Sequence, residues 1–348
     1  MVLLMIRKSK GNLLNADAEA LVNTVNSVGV MGKGMALQFK QAFPDNYAAY
    51  AAGCKRGEVK PGQMFVYHTG TFHKPHFIIN FPTKLHWRGK SKLADIEQGL
   101  SALTEVVRNE NIRSIAVPPL GCGNGGLDWS EVRQRIEQAF SQLPDVEVQL
   151  FEPAGAPKAE EMKVATKRPK MTTGRAAILG LLSRYALPGY RLTLLEIQKL
   201  AYFLQESGEP LKLQFEKQRY GPYAEALHYV LQRIEGHFVR GYGDRSRDVS
   251  LHIFSDAARE AEEFLKSETE TQERFERVAK LIEGYETPYG MELLASVHWV
   301  AVHERTEAKT SCEIAIGGVL AWNEHKRKTF TPERIVGAWN RLKYQGWL

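Results

Sequence analysis

The chain has 348 residues, more than one hydrophobic core usually serves, so two domains are expected. Charged residues at 25% and hydrophobic ones at 43% describe a globular chain and exclude a disordered or membrane-embedded one. The net charge of +6 lies entirely before residue 175, where 22 Lys and Arg face 16 Asp and Glu; the remainder holds 24 of each. That surplus permits contact with nucleic acid on the N-terminal side, although no long basic run stands out. No apolar run approaches a bilayer span, and the charges in MVLLMIRKSKGN come too early for a secretory signal, so a cytoplasmic protein is expected. Cys54, Cys122 and Cys312 are odd in number and far apart, which supports neither a disulfide framework nor a zinc site. Reduced thiols and no metal or cofactor are expected.

In chain order, Val2 to Arg7 reads as an opening strand that delivers Gly11 and Asn12 to a turn. Ala20, Leu21 and Val22 begin a buried strand that opens at Asn26 into a loop with Gly29, Gly32 and Gly34, after which Met35, Ala36, Leu37 and Phe39 start a helix. Strand, glycine loop and helix together suit a phosphate: the backbone can approach closely, and the N–H groups of the turn and the new helix converge on one anion. Asn23 and Asn26 must find several partners each, and the position of Asn26 at the mouth of the loop favours ligand contact, with Asn23 structural. Lys33 reads equally as a phosphate partner or a solvated lysine.

Pro44 to Gly57 suggests a helix with Phe43 and Tyr47 packing on one face, Gln63 to His68 a strand, and Phe77 to Asn80 another. Just past that strand stand Phe81, Pro82, Thr83, Lys84, Leu85, His86, Trp87 and Arg88, where an α/β fold tends to place its chemistry. Ser91 opens an amphipathic helix whose stripe is Leu93, Ile96, Leu100, Leu103 and Val107. Ser114 to Val117 is a buried strand leading through Pro118, Pro119 and Leu120 into a second glycine loop, Gly121, Cys122, Gly123, Asn124, Gly125, Gly126 and Leu127, with a helix from Trp129. Two such loops can clamp one diphosphate from opposite sides. Asp128 has the look of a catalytic acid, but Asp128-Trp129-Ser130-Glu131 has capping-box spacing and favours an N-cap. Val146 to Phe151 supplies a last strand.

Gly11-Asn12-Leu13-Leu14 with the two loops resembles the macrodomain family of ADP-ribose-binding and ADP-ribosyl-hydrolysing modules. NTVNSVGVMGKGMALQFKQAFP with PPLGCGNGGLDW is similar, within that family, to the DarG-type antitoxins that remove ADP-ribose from DNA. The resemblance implies a three-layer α/β macrodomain with a mixed sheet over residues 1–155. It implies an ADP-ribose site formed by Asn12, Leu13, Thr24, Val25, Asn26, Val30, Met31, Gly32, Lys33, Gly34, Met35, Thr83 and residues 121–127. Lys84 matches the catalytic lysine, and Asn26, which matches the position near the distal ribose, is the second residue that the resemblance places in catalysis. Macrodomains usually carry an aspartate that accepts from the adenine amino group; here it is Asn12, whose amide oxygen can accept without charge, and which also reads as an Asx-turn residue. Related hydrolases use an aspartate inside the second loop, where this chain has Asn124, Gly125 and Gly126, which puts more of the chemistry on Lys84.

Cleaving an N-glycosidic bond at the distal ribose passes through an oxocarbenium-like state. A neutral lysine can attack the anomeric carbon if desolvation or a nearby cation such as Arg88, Lys90 or Lys33 lowers its pKa; alternatively its ammonium donates a proton to the departing base. Both roles stay open. The implied substrate is ADP-ribose on thymine in DNA, single-stranded by expectation. A non-catalytic reader of ADP-ribose with a scaffold domain, or a hydrolase acting on ADP-ribosylated protein or an ADP-ribose phosphate, fits the loops as well.

Residues 156–174, PAGAPKAEEMKVATKRPKMTTG in their wider setting, break periodicity and read as a linker, with Lys163, Lys167, Arg168 and Lys170 either touching DNA phosphates or solvated. Residues 175–348 read as a mainly helical domain. Thr193-Leu194-Leu195-Glu196 is a capping box, Ile197, Leu200, Ala201 and Leu204 form an apolar face, and Gly208 stops the helix. FEKQRYGPY holds a turn with Gly221 and Pro222, and His298, His303 and His325 read as packed or surface histidines. LTLLEIQKLAYFLQESGEPL with FEKQRYGPYAEALHYVL resembles the Panacea-type antitoxin domain, which implies binding of a cognate ADP-ribosyltransferase toxin.

Overall fold

The computed structural model describes residues 6–155, 157–185, 190, 192–243 and 249–348. The chain divides into two compact units, one running to Lys167 and the other built from residues 168–242 and 248–348.

In the first unit six strands form one sheet, β1 (Ile6–Ser9), β2 (Ala20–Asn26), β3 (Phe65–His68), β4 (Phe77–Lys84), β5 (Ser114–Val117) and β6 (Glu147–Phe151), in the order β1-β6-β5-β2-β4-β3. All neighbours are parallel except β3 with β4, so the sheet is mixed as expected. Successive residues of the central strands go to opposite layers. Val22, Ile79, Phe81, Ile115, Val117 and Leu150 pack with residues of α3 (Leu93–Asn109) and α4 (Trp129–Phe140). Leu21, Ile78, Ala116 and Phe151 pack on the other side with Phe39 and Ala42 of α1 (Gly34–Ala42). Strands buried on both faces read as continuous apolar runs, which is why ALV, FII and SIAV were legible. The helix α2 (Pro44–Arg56) ends at left-handed Gly57. Phe43 and Tyr47 serve two different clusters, the first with Phe39 and the second with Tyr50 and Val25.

Three expectations are corrected. β4 runs on through Pro82 and Thr83 to Lys84 instead of ending at Asn80. Its proline is tolerated because β3 reaches only as far as the Phe65–Asn80 pair, leaving the next stretch without a partner on that side. Ser91 does not cap α3, whose N-cap is Lys92 with no side-chain bond; the Ser91 N–H donates to Gly125 O at 3.1 Å instead. The segment expected as a tether over 156–174 makes fixed contacts along its middle. Met162 is buried, Lys163 Nζ donates to Leu14 O at 2.9 Å and Ala165 N to Gln41 O at 2.8 Å, while Arg168 pairs with Glu260 at 2.6 Å. One apolar anchor and two backbone-directed bonds suffice to dock a segment that composition alone assigns to solvent.

The second unit contains α5 (Thr173–Tyr185), β7 (Leu192–Thr193), α6 (Leu194–Glu206), β8 (Glu216–Gln218), β9 (Gly221–Tyr223), α7 (Ala226–Ile234), β10 (Val239–Arg240), β11 (Ser250–Ile253), α8 (Ser255–Leu265), α9 (Thr269–Ile282), α10 (Pro288–Trp299), α11 (Cys312–Trp322), α12 (Glu324–Thr329) and α13 (Pro332–Tyr344). It is mainly helical, with a small β10-β11-β7 sheet and a β8-β9 hairpin that the sequence reading did not separate. The capping box at Thr193 and Glu196 is present in both directions. Gln218 pairs with Gly221, so the chain reverses at Arg219 and Tyr220, and Gly221 and Pro222 lie on the returning strand.

Helix α3 can lie close on the sheet because Gly99 has no side chain: a Cβ there would stand 2.2 Å from the ring of Phe81, which is fully buried. Gly99→Ala is therefore expected to destabilise the protein by about 1–3 kcal/mol through overpacking, read by urea unfolding, and Phe81→Leu in that background should recover part of the loss. An unchanged midpoint for Gly99→Ala would remove this account of the helix–sheet contact.

Candidate functional site

The carboxyl ends of β2, β4 and β5 lie side by side, with β2 central, and the loops that leave them meet at one edge of the sheet. Between β2 and β4 the register holds from Ala20–Phe77 to Val25–Pro82 and then breaks, so that Asn26 stands opposite Lys84 and Thr83 is skipped. A bulge of this kind re-aims the side chains that follow it. Here it brings the last residue of β4 level with the first residue of the glycine loop.

Asn26 is buried and its amide closes that loop. Its Oδ1 accepts from Val28 N at 3.1 Å and Val30 N at 3.3 Å, and its Nδ2 donates to Val30 O at 2.6 Å. Tyr50 donates its hydroxyl to Asn26 O at 2.6 Å, and burial raises the phenol pKa far above its ordinary value. Asn26 thus holds the loop in shape, a structural role beside the ligand contact expected of it. Asn23 is structural as read: its Nδ2 donates to Asn80 Oδ1 at 2.9 Å, and Asn80 Nδ2 donates to Asn46 Oδ1 at 2.8 Å, tying β2, β4 and α2 together. After the loop, α1 begins with no side-chain bond from its N-cap, Lys33, and the first-turn N–H groups of a helix have no partner within the helix.

The second loop is wound tightly. Cys122 N donates to Pro119 O, Gly126 N to Gly123 O and Leu127 N to Gly121 O. Gly121 adopts the left-handed region at φ +71°, and a Cβ on Gly125 would lie 2.3 Å from both Gly121 O and Ser91 Oγ. Gly123, by contrast, has open space where a side chain would go. The two loops approach one another where a Cβ on Gly34 would stand 3.4 Å from Asn124 Nδ2. Asp128 accepts from Ser130 N at 2.8 Å and Glu131 N at 3.2 Å, which lowers its pKa, the Ser130 side chain contributing most. It is the N-cap of α4, as its spacing indicated. Burial, with Asp128 adding, raises the Cys122 thiol to about 11 and so keeps it protonated.

Lys84 lies between these elements. Its Nζ donates to Gly89 O at 3.2 Å and to Asn124 O at 3.5 Å. Partial burial lowers its pKa, and the positive charge of Lys90 adds to that effect. A neutral amine has two N–H donors and one lone pair; two carbonyls can occupy the donors and leave the pair for chemistry.

The remaining expected residues sort into lining and core. Val30, Lys33, Gly123, Asn124 and Gly126 are exposed at the edge, with Thr24, Gly32, Gly34, Met35, Cys122 and Leu127 partly so. Leu13, Val25 and Met31 are buried in the core and Thr83 is buried with its hydroxyl toward Val25 O, so their side chains support the loops from behind. Asn12 takes the turn-residue reading of the two that the sequence offered. Its Oδ1 accepts from Leu14 N at 3.0 Å as the cap of a short 3-10 turn, while its Nδ2 is buried with no protein partner. What it offers is a donor. The stretch Leu85 to Lys90, most of which the sequence marks as lying just past a strand end, is exposed throughout and folds beside Lys84.

In the second unit, α6 holds the hairpin. Gln198 exchanges two hydrogen bonds with the Ala224 backbone, at 3.0 and 2.9 Å, and buried Lys199 donates to Pro222 O at 2.6 Å. Burial, reinforced by Lys326 and opposed by Glu292, lowers Lys199 to about 7. Lys326 donates to Glu292 Oε1 at 2.6 Å. His298 is packed, its ring nitrogen 2.7 Å from the Tyr202 hydroxyl, and His303 and His325 face Glu206 and Glu292.

Residues 22–136 match the family model described as "Macro domain". The chain is 48% identical to a DNA ADP-ribosyl glycohydrolase of Thermus aquaticus, over 98% of this chain and 94% of that protein. It is 45% identical to one of Mycobacterium tuberculosis, over 97% of this chain and 99% of the other. A DNA ADP-ribosyl transferase–DNA ADP-ribosyl glycohydrolase fusion protein of Thermosipho africanus is 35% identical over 41% of each chain.

The contrast between two glycines of the second loop gives a test. Gly125→Ala is expected to cost about 1–3 kcal/mol in urea unfolding, because the new methyl meets a backbone carbonyl that cannot retreat. Gly123→Ala should stay within about 0.5 kcal/mol of the parent. Equal effects would mean that the loop is not wound against Ser91 as described.

Proposed function

The chain belongs to the DNA ADP-ribosyl glycohydrolase family, and on that premise we propose that it hydrolyses the N-glycosidic bond joining ADP-ribose to a base in single-stranded DNA. It thereby reverses the damage done by a cognate transferase toxin, which the helical unit binds and neutralises. The observation that carries the catalytic assignment is Lys84: partly desolvated, beside a second lysine, and opposite Asn26 at the junction of the two glycine loops. The toxin as partner is supported by the relative in which transferase and glycohydrolase share one chain. Thymine as the base rests on motif resemblance alone.

The sheet order supports a substrate laid along its carboxyl edge. Asn12 follows β1 and Lys84 ends β4, four strand positions apart, or about 19 Å at the usual strand spacing. Adenine sits at the Asn12 end, where the amide N–H meets a ring nitrogen. The diphosphate lies against the backbone N–H groups of the loops after β5 and β2 and the start of α1. The distal ribose reaches Lys84. In the reaction the Lys84 lone pair attacks the anomeric carbon and the glycosidic electrons leave with the base nitrogen. The proton of the new ribosylammonium passes to the departing base, and water then displaces the amine, returning free ADP-ribose and Lys84. Lowering of the Lys84 pKa favours this nucleophilic role over proton donation, since it enlarges the neutral fraction at neutral pH.

Lys84→Ala should keep measurable ADP-ribose binding by calorimetry and lose at least about a hundredfold in release of ADP-ribose from modified single-stranded DNA. It should also still bind the transferase, since separate domains seldom couple strongly. Undiminished release by the variant would end the catalytic assignment, and loss of ligand binding would place Lys84 among the binding groups.

The role of the amine has its own test. Lys90→Gln removes the cation that helps depress Lys84, so the Lys84 pKa rises. If the neutral amine reacts, the acid limb of the kcat/KM profile moves to higher pH and activity at neutral pH falls. Displacement of the alkaline limb alone would assign Lys84 as proton donor.

A further inference from the structure

From Lys84 to Ala94 the chain carries Lys84, Arg88, Lys90 and Lys92, with His86 among them and no Asp or Glu. Every residue from Leu85 to Lys90 is exposed, Trp87 at 45% and Leu85 at 65%. An indole left in water forfeits a large burial energy, and this one is not on a loose tip. Gly89 N donates to His86 O at 2.9 Å, Lys84 Nζ donates to Gly89 O, and Ser91 N donates to Gly125 O, which pins the loop to the second glycine loop. A Cβ on Gly126 would stand 3.1 Å from Lys90 Nζ, so Lys90 lies over that loop as well. Within the hook the His86 and Trp87 rings stack with centroids 5.4 Å apart, and the Arg88 guanidinium lies 4.5 Å from the Trp87 ring. The product is an ordered tier of two aromatic rings and a planar cation, edged by lysines, three residues from Lys84.

We infer that Trp87, with His86 and Arg88, is the stacking platform for a base next to the modified nucleotide, and that Lys90 and Lys92 face the phosphates on either side of it. This inference rests on the reading of the site as one that acts on DNA. A strand of DNA supplies what the tier lacks, a π-face joined to negative charge at close repeats. Three extended residues span at most about 10 Å, so whatever stacks on Trp87 lies within a few nucleotides of the base that Lys84 releases. In a duplex, the faces of neighbouring bases are already occupied by stacking, which makes the platform selective for single strands. Trp87 is thus a specificity residue that acts on the substrate strand and not on the reacting bond.

The test uses the full chain and two substrates, an ADP-ribosylated single-stranded oligonucleotide and the same modified nucleotide excised as a mononucleotide. KM for the oligonucleotide should be about tenfold lower than for the mononucleotide in the parent protein. Trp87→Ala should erase that difference with kcat changed by no more than about twofold, and Trp87→Phe should restore most of it. An oligonucleotide preference that survives Trp87→Ala overturns the platform. So does a Trp87→Ala protein with parental DNA kinetics and weakened transferase binding, which would make the hook a protein-docking surface. A parent protein that releases ADP-ribose from the two substrates with equal KM defeats the platform and leaves the glycohydrolase reading standing. Release from neither substrate defeats that reading itself.

Discussion

The register break between β2 and β4 is the constraint on which the site depends. Side chains alternate along a strand, so a one-residue slip exchanges the two faces. Skipping Thr83 lets Val25 pair with Pro82 and Asn26 with Lys84, which turns Thr83 inward and sets the lysine beside the glycine loop. Without the break, Thr83 would stand opposite Asn26 and Lys84 would pass to the other layer. The bulge sits where β3 no longer covers β4, so the irregularity strands no buried ladder bond on that side, and a proline can occupy it.

Around that point the labour is divided between backbone and side chains. The loops offer N–H groups held in place by bonds the protein makes to itself: the Asn26 amide spans Val28 to Val30, the Tyr50 hydroxyl braces Asn26, and three backbone bonds wind residues 119–127. Preorganised donors of this kind need no rearrangement when charge arrives. Asp128, the carboxylate that follows the second glycine loop, is spent on capping α4. Lys84 therefore has cations and carbonyls about it, and burial with Lys90 acts to discharge it. An acidic neighbour would have had the opposite effect and held it as an ammonium.

The second unit is organised by a different buried polar group. Glu196 is fully buried and takes hydrogen bonds from the Tyr185 and Tyr190 hydroxyls at 2.8 and 2.6 Å as well as closing its own capping box. The next residues of α6, Gln198 and Lys199, hold the returning strand of the hairpin, and Trp322 and Asn323 hold its outgoing strand and turn through Gln218 O and Arg219 O. The two segments that carry the family resemblance are therefore one physical object: a helix and the hairpin bonded to it. Buried polar side chains that end on backbone groups define a loop's position more narrowly than apolar packing does.

What the sequence alone determined were the features set by local periodicity and by residue type. The apolar runs of the parallel strands, the stripe of α3, the caps at Asp128 and Thr193, both glycine loops and the candidacy of Lys84 were all legible, because each depends on neighbours a few residues away. Tertiary structure alone decided which side chains are turned inward and which are left at the edge of the sheet. Asn26 and Asn12 turn their amide oxygens to their own loops, Leu13, Val25 and Met31 fall to the core, and Met162 and Lys163 dock a segment that composition reads as a tether. It also decided the bulge that aims Lys84 and the closure of the Leu85–Lys90 hook onto Gly125. Those outcomes follow from register and from long-range hydrogen bonds. Pairings between residues tens of positions apart leave no periodic trace in either segment.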